Sequence, residues 1–159
     1  MKRAGFWWRY GPLLLWMALI FVGSTNVLAA SNTSGFAHTV FRGLFTRMGE
    51  EGILFWHFLV RKSGHFIEYA ILAWLAVRAF RTSPHRPLLA SHASLFAFLL
   101  VAVYSLFDEY HQSFVQTRGA SVFDSLIDMA GGACAVLLIE WRRKRTFRKL
   151  AKQDKINAS

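Results

Sequence analysis

Four stretches of this chain are long and apolar enough to cross a lipid bilayer, and three of them begin or end in ionisable residues. A spanning helix needs roughly 20 predominantly apolar residues. Residues 88–107 meet that with Ser and His as the only interruptions. Residues 6–23 meet it apart from Arg9, and residues 64–80 and 122–141 meet it apart from polar residues on their flanks. A soluble bundle of buried helices would carry a polar face on each helix, and these stretches carry none. The expected fold class is therefore all-α: a polytopic membrane protein of about four transmembrane helices. A short outer amphipathic helix is expected over 36–48, where Phe36, Val40, Leu44 and Phe45 recur at helical spacing and Arg42 and Arg47 fall elsewhere. A plain packed loop helix is the alternative there.

Charge placement supports the membrane assignment. The chain carries 19 Lys and Arg against 9 Asp and Glu, a net charge of +10. Lys2, Arg3 and Arg9 precede or open the first stretch. Arg78, Arg81, His85 and Arg86 lie between the second and third. Arg142, Arg143, Lys144, Arg145, Arg148 and Lys149 follow the fourth. Basic residues collect on the cytoplasmic side of membrane proteins, so both termini and the middle loop are expected to face the cytoplasm. Nucleic acid is not an expected partner, because no binding motif and no aromatic interleaving accompany the charge. Membrane lipids are the expected neighbours.

The whole chain, 1–159, reads as a single domain with a core over 6–141 and a basic cytoplasmic tail over 142–159. The N-terminal stretch has two readings. Lys2 and Arg3, an apolar run and then Leu28, Ala29 and Ala30 resemble a signal peptide. Leu28 sits where a small residue is preferred, and Trp7, Trp8 and Tyr10 suit the interfacial anchors of a retained helix. The second helix is expected from near Ile53 to Phe80, the turn at Ser83-Pro84 and Arg86-Pro87, and the third span from Leu88. Cys134 is the only cysteine, so no intrachain disulfide forms; it is expected to be an inert core residue. No zinc-ligand spacing occurs, and neither a metal nor a cofactor is expected.

The polar residues at membrane depth define the candidate site, because charge there is expensive and marks function by default. Lys62, His65 and Tyr69 are spaced i, i+3, i+7 and share a helix stripe, with Glu68 on its flank. Asp108 and Gln112 share a face by the i, i+4 rule, with Glu109 beside them and Tyr104 a turn away. Ser121, Asp124 and Asp128 share a third face, which Gly131 continues, and Arg118 precedes it. Each residue also has an ordinary explanation. Lys62 can snorkel; His65, Tyr69 and Gln112 can join helices; Asp108 and Glu109 can end a helix in water. Taken together the three stripes point to one site in which Lys62, Arg118 and His65 offset Asp108, Glu109, Asp124 and Asp128. Gly131, Gly132 and Ala135 let helices approach closely.

The run Lys62-x-x-His65-x-x-x-Tyr69, followed by Asp108-Glu109-x-x-Gln112-x-Phe114-Val115-x-x-Arg118-x-x-Ser121-x-x-Asp124-x-x-x-Asp128-x-x-Gly131, resembles the VanZ-like membrane protein family. The second block is the specific part. Thr117 stands where the family has glycine, and Asp128 where it often has asparagine. The resemblance implies a bacterial inner-membrane protein with several spans. It also implies a connection with teicoplanin resistance, to which the family's founding member is linked. It implies no reaction.

Three functions are open from the sequence. The first is an outer-leaflet polar pocket that binds an anionic lipid-linked ligand, such as a cell-wall intermediate, or a glycopeptide-related one. Lys62 and Arg118 would hold the anion, Arg118 in two-point fashion, with His65, Tyr69, Gln112, Ser121, Asp124 and Asp128 around it. The second is a membrane-embedded enzyme. Its candidate catalytic residues are His65, Asp108, Glu109 and Asp124, with His65 as general base and the acids free to hold a divalent cation. The third is a small transporter or flippase with a proton relay. Whether the chain is an enzyme at all is not decided by its residues.

Overall fold

The computed structural model describes residues 5–25, 43, 49–83, 86–114 and 122–157. These fold into helices α1 (Phe6–Ser24), α2 (Glu50–Arg81), α3 (Pro87–Ser91), α4 (Ala93–Gln112) and α5 (Val122–Asn157), with no strand among the described residues. The all-α expectation holds. The amphipathic helix expected over 36–48 lies outside the described residues apart from Gly43.

Local chemistry sets the helix ends. Helix α2 opens with Glu50 and Glu51 and closes with Arg78 and Arg81, the polarity that complements a helix dipole. The Thr82 hydroxyl donates to the carbonyls of Arg78 at 3.0 Å and Ala79 at 3.2 Å, finishing the helix. Pro12 lies inside α1. Proline has no N–H, so the carbonyl four residues earlier is left without its helical donor. Arg78 of α2 fills that vacancy, donating to the Trp8 carbonyl at 3.3 Å while its guanidinium lies 5.8 Å from the Trp8 ring centroid. A gap in one helix thus becomes a link to the next.

The third apolar stretch is not continuous. A single helix from Leu88 was expected, but α3 ends at Ser91 and α4 starts at Ala93. At the break, the Ser91 hydroxyl donates to the Leu88 carbonyl at 3.0 Å and His92 Nδ1 lies 3.3 Å from the same oxygen. Such side chains compete with the backbone for helix acceptors.

The helices pack up, down, up, down. Tyr10 of α1 donates to Ser83 just past α2 at 3.1 Å, and Tyr104 of α4 donates to the Met17 carbonyl of α1 at 2.6 Å. Arg81 of α2 reaches Ser94 of α4 and Glu140 of α5. One end of the bundle therefore gathers Arg9, Arg78, Arg81 and Arg143, and the other gathers Lys62, Asp108 and Asp124. Helix α2 is central, packing against α1, α4 and α5. Helix α5 packs tightly on two neighbours: a Cβ on Gly131 would collide with the Phe66 carbonyl of α2, and one on Gly132 would meet the Val101 side chain of α4. Glycine is required there for close approach, as expected.

Apolar residues are distributed against the habit of water-soluble domains. Trp7, Leu15, Val103, Phe123 and Leu137 are exposed, while Asp108, Glu109, Gln112, Asp124, Ser125 and Asp128 are buried. An exposed apolar surface of this extent needs something to cover it, and buried acids need polar partners. Two helices, α1 and α4, are long and apolar enough to cross a membrane. Helices α2 and α5, of 32 and 36 residues, interrupt their apolar runs with the charges that form the site. Cys134, expected in the core, is exposed. Helix α5 buries Asp124, Asp128 and Gly131 and half-buries Ala135 along one row, and Cys134 falls outside it.

Candidate functional site

The site is built where the N-terminal halves of α2 and α5 run beside the C-terminal half of α4. Lys62 of α2 donates to Asp124 Oδ1 of α5, with side-chain exposures of only 13% and 10%. Arg61 Nη2 lies 3.8 Å from the other oxygen of the same carboxylate. One carboxylate thus faces two cations. The Lys62 ammonium also sits 5.4 Å from the Phe58 ring centroid, a cation–π contact.

One turn deeper, His65 Nδ1 lies 3.4 Å from Asp128 Oδ1. Asp128 is 1% exposed, and neither of its oxygens makes a hydrogen bond among the described residues. The pair is therefore close but outside hydrogen-bond geometry. On α4, Gln112 Nε2 donates to Asp108 Oδ2 at 2.7 Å, the i, i+4 contact expected from the sequence. Ser125 of α5 donates to the Ser105 carbonyl of α4 at 3.4 Å. Tyr69 is fully buried, with its ring 6.4 Å from that of Tyr104 and its hydroxyl unpartnered among the described residues.

A cleft of about 180 Å³ opens beside this network, lined by Ile20, Ser24, Arg61, His65, Glu68 and Asp108. Helix α1 closes one wall, held by the Trp16 indole donating to the Glu68 carbonyl at 2.9 Å. The cleft offers one guanidinium, one imidazole and two carboxylates. It can therefore hold an anion at Arg61 and accept hydrogen bonds from hydroxyl or ammonium groups at Glu68 and Asp108.

The structure sets Lys62 with Asp124 and His65 near Asp128 as two pairs, one turn apart, and places His65 and Asp108 in one cleft. Gln112 joins through Asp108, and Glu109 is buried on the same turn of α4. Tyr69 is packed in the core beneath the cleft and does not line it. Arg118 and Ser121 lie outside the described residues. Among the described residues, no group of three His, Cys, Asp or Glu is placed to hold a metal ion.

Sequence reading passed over Arg61, although the signal was present. Arg61, His65 and Glu68 are spaced i, i+4, i+7, a second stripe beside the one through Lys62, and this second stripe lines the cleft. It also passed over Glu140, inside the stretch 122–141. Arg81 donates to Glu140 Oε1, Ser94 Oγ donates to the same oxygen at 2.5 Å, and Arg143 Nη1 stands 3.7 Å from Oε2. The opposite half of the bundle is therefore not free of charge.

The fold and the site define a helical membrane-associated protein, apolar outside, with a charged cleft between its helices. The chain belongs to the VanZ/LLP1 family, whose model matches residues 10–143. No curated protein and no solved structure matches it.

Proposed function

We propose that this VanZ-like protein spans the bacterial inner membrane four times with both termini in the cytoplasm, and that its outer cleft binds the headgroup of an anionic lipid-linked ligand. The carrying observation is the sharing of Asp124 by Lys62 and Arg61. Two cations meet one carboxylate there, a local excess of one positive charge, while Glu68 and Asp108 place two carboxylates further into the same cleft. Arg61 also lines the cleft itself, with a planar donor set that suits phosphate or carboxylate. Glu68 and Asp108 below it suit the hydroxyl groups of a sugar or an amine on the same headgroup. Such a ligand is what a lipid-linked cell-wall intermediate would present, and it agrees with the glycopeptide resistance that the family resemblance implies.

The topology is supported by the gathering of Arg9, Arg78, Arg81 and Arg143 at one end of the bundle, the charge bias of a cytoplasmic side. Single cysteines at positions 34, 82, 117 and 152 in a Cys134→Ser background test it. An impermeant thiol reagent on intact cells is expected to label the first and third; labelling of the second or fourth overturns the orientation. The binding site is tested with a labelled polyprenyl phosphate in nanodiscs. Arg61→Lys keeps the charge but loses the planar donor set, so its affinity is expected to fall about tenfold. Unchanged affinity in a folded Arg61→Lys protein removes the anion pocket.

One observation favours a second reading. His65 lines the cleft with Asp128 Oδ1 3.4 Å behind it, close enough that a small shift would make the hydrogen bond by which a carboxylate orients a general base. An enzyme loses turnover in His65→Gln while keeping ligand affinity, whereas a binding protein shows no turnover to lose.

A further inference from the structure

At the end of the bundle away from the outer cleft lies a second cavity, of about 180 Å³. It is lined by Arg81 of α2, by Ser91, His92 and Ser94 at the break between α3 and α4, and by Glu140 and Arg143 of α5. Two guanidiniums meet one carboxylate there, an excess of one positive charge. The carboxylate is saturated. Its Oε1 accepts from Arg81 and from Ser94 at 2.5 Å, and Arg143 Nη1 stands 3.7 Å from Oε2. The guanidiniums are not saturated. Arg81 makes its contacts to Ser94 and Glu140 through Nη2 alone, and among the described residues no hydrogen bond uses its Nη1 or Nε. At 3.7 Å, Arg143 is beyond hydrogen-bond distance from Glu140. Each guanidinium carries five N–H donors in a planar fork that matches phosphate, so donors remain on two sides of the cavity.

Two tryptophans give the depth of this cavity. Trp8 and Trp141 are 71% and 53% exposed, and each ring has a cation beside it, Arg78 at 5.8 Å from Trp8 and Arg145 at 4.8 Å from Trp141. Exposed tryptophan is the side chain of the membrane–water interface, the level at which lipid headgroups lie. Trp141 is the neighbour of Glu140 and precedes Arg143 by two residues, so the cavity opens at that level. We infer that it binds the phosphate of an anionic phospholipid from the leaflet at this end of the bundle. Basic pockets between membrane helices take such headgroups. Charge selects the occupant. Arg142, Lys144 and Arg145 flank the cavity, and Asp154 is the only acid in the chain beyond Glu140. A choline or ethanolamine headgroup would bring its own cation into that field, whereas a glycerol headgroup brings none. Leu95, on the cavity wall and 55% exposed, gives the apolar part of a lipid a surface that a soluble phosphate does not use. The bound phosphate would bridge α2 and α5 beside the Arg81–Glu140 pair. The inference rests on the membrane setting proposed above and not on the outer cleft.

The test uses the full chain in phosphatidylcholine nanodiscs with trace photoreactive lipids, a phosphatidylglycerol and a phosphatidylcholine that carry the same diazirine close to the glycerol. The phosphatidylglycerol probe is expected to label the peptide containing residues 91–95 several-fold more than the choline probe. Equal labelling overturns the inference, since bulk lipid then covers the site without selection. Arg143→Gln is expected to bring the two probes level. Its side chain is 53% exposed and makes no hydrogen bond to Glu140, so the Arg81–Glu140 pair stays in place. Arg148→Gln removes the same charge from the exposed part of α5 outside the cavity and is expected to keep the selection. An equal loss in Arg148→Gln and Arg143→Gln overturns the pocket in favour of general surface charge. Inorganic phosphate in millimolar excess is expected to leave the labelling unchanged; if it displaces the lipid probe, the occupant is a soluble phosphate and the lipid assignment falls. Arg61→Lys, which tests the outer cleft, is expected to leave labelling at 91–95 unchanged, so the two sites stand or fall separately.

Discussion

At each end of the bundle, α2 is tied to α5 by a cation and a carboxylate, Lys62 to Asp124 at one end and Arg81 to Glu140 at the other. The chemistry is the same and the surroundings are not. Lys62 and Asp124 are 13% and 10% exposed, and beneath them His65 Nδ1 and both oxygens of buried Asp128 are unsatisfied among the described residues. Arg81 and Glu140 are each 30% exposed, and Glu140 has Arg81 and Ser94 on one oxygen and Arg143 near the other. The second cluster completes its own contacts and functions as a staple. The first leaves buried polar atoms without a hydrogen bond among the described residues, and those atoms are what the proposed ligand would meet.

Four substitutions break or sharpen that contrast. The largest effect is expected at Asp124→Ala, which leaves Lys62 buried without its partner and costs about 3–5 kcal/mol. Thermal unfolding in detergent measures it, and the double change with Lys62→Met is expected to recover part of the loss because the residues are directly coupled. Strictly additive losses would show that the two do not act as a pair. Gly131→Ala comes next. Its Cβ has no space against the Phe66 backbone, which cannot turn aside as a side chain can, so α2 and α5 must separate at a cost of about 1–3 kcal/mol. The same melting measurement reads it, and a neutral result would mean the seam is looser than the geometry states.

Glu140→Gln is expected to cost only about 0–1 kcal/mol, since a partly exposed pair gains little from its charge. A loss equal to that of Asp124→Ala would erase the difference between the two ends. The smallest effect is expected at Tyr69→Phe. Its hydroxyl makes no hydrogen bond among the described residues and the ring does not line the cleft. Removing it leaves stability equal or slightly higher, with polyprenyl phosphate binding unchanged. A clear loss of binding in Tyr69→Phe would restore Tyr69 to the site.

The candidate site was legible in part, for reasons that individual residues make clear. The i, i+4 relation of Asp108 and Gln112 lies within one helix, so spacing alone gave the contact. Lys62 and His65 were found as a stripe, but which acids they met depended on how α2 lies against α5. Arg61 shows the limit of stripe counting. Two overlapping stripes on α2 share His65, and only packing shows that Arg61 and Glu68 line the cleft with α1 while Arg61 also reaches Asp124 of α5. Glu140 was missed because a single acid near the end of an apolar run carries no pattern until Arg81 and Ser94 arrive from other helices. Cys134 was placed in the core because small apolar residues usually pack there, a rule that fails where the outer surface is itself apolar.

The sequence by itself determined the all-helical class, the apolar surface, the family and the gathering of basic residues between and beyond the apolar runs, because each follows from composition and spacing along one helix at a time. It also required glycine where α5 must come close to a neighbour. Only the tertiary structure decided that Asp124 is shared by Lys62 and Arg61, that Asp128 stands behind His65, that α1 walls the cleft, and that Tyr69 is core. Those facts depend on the rotation of each helix about its axis. That rotation is set by the summed packing of all its neighbours, with the Phe66–Gly131 contact fixing how closely α2 and α5 can approach.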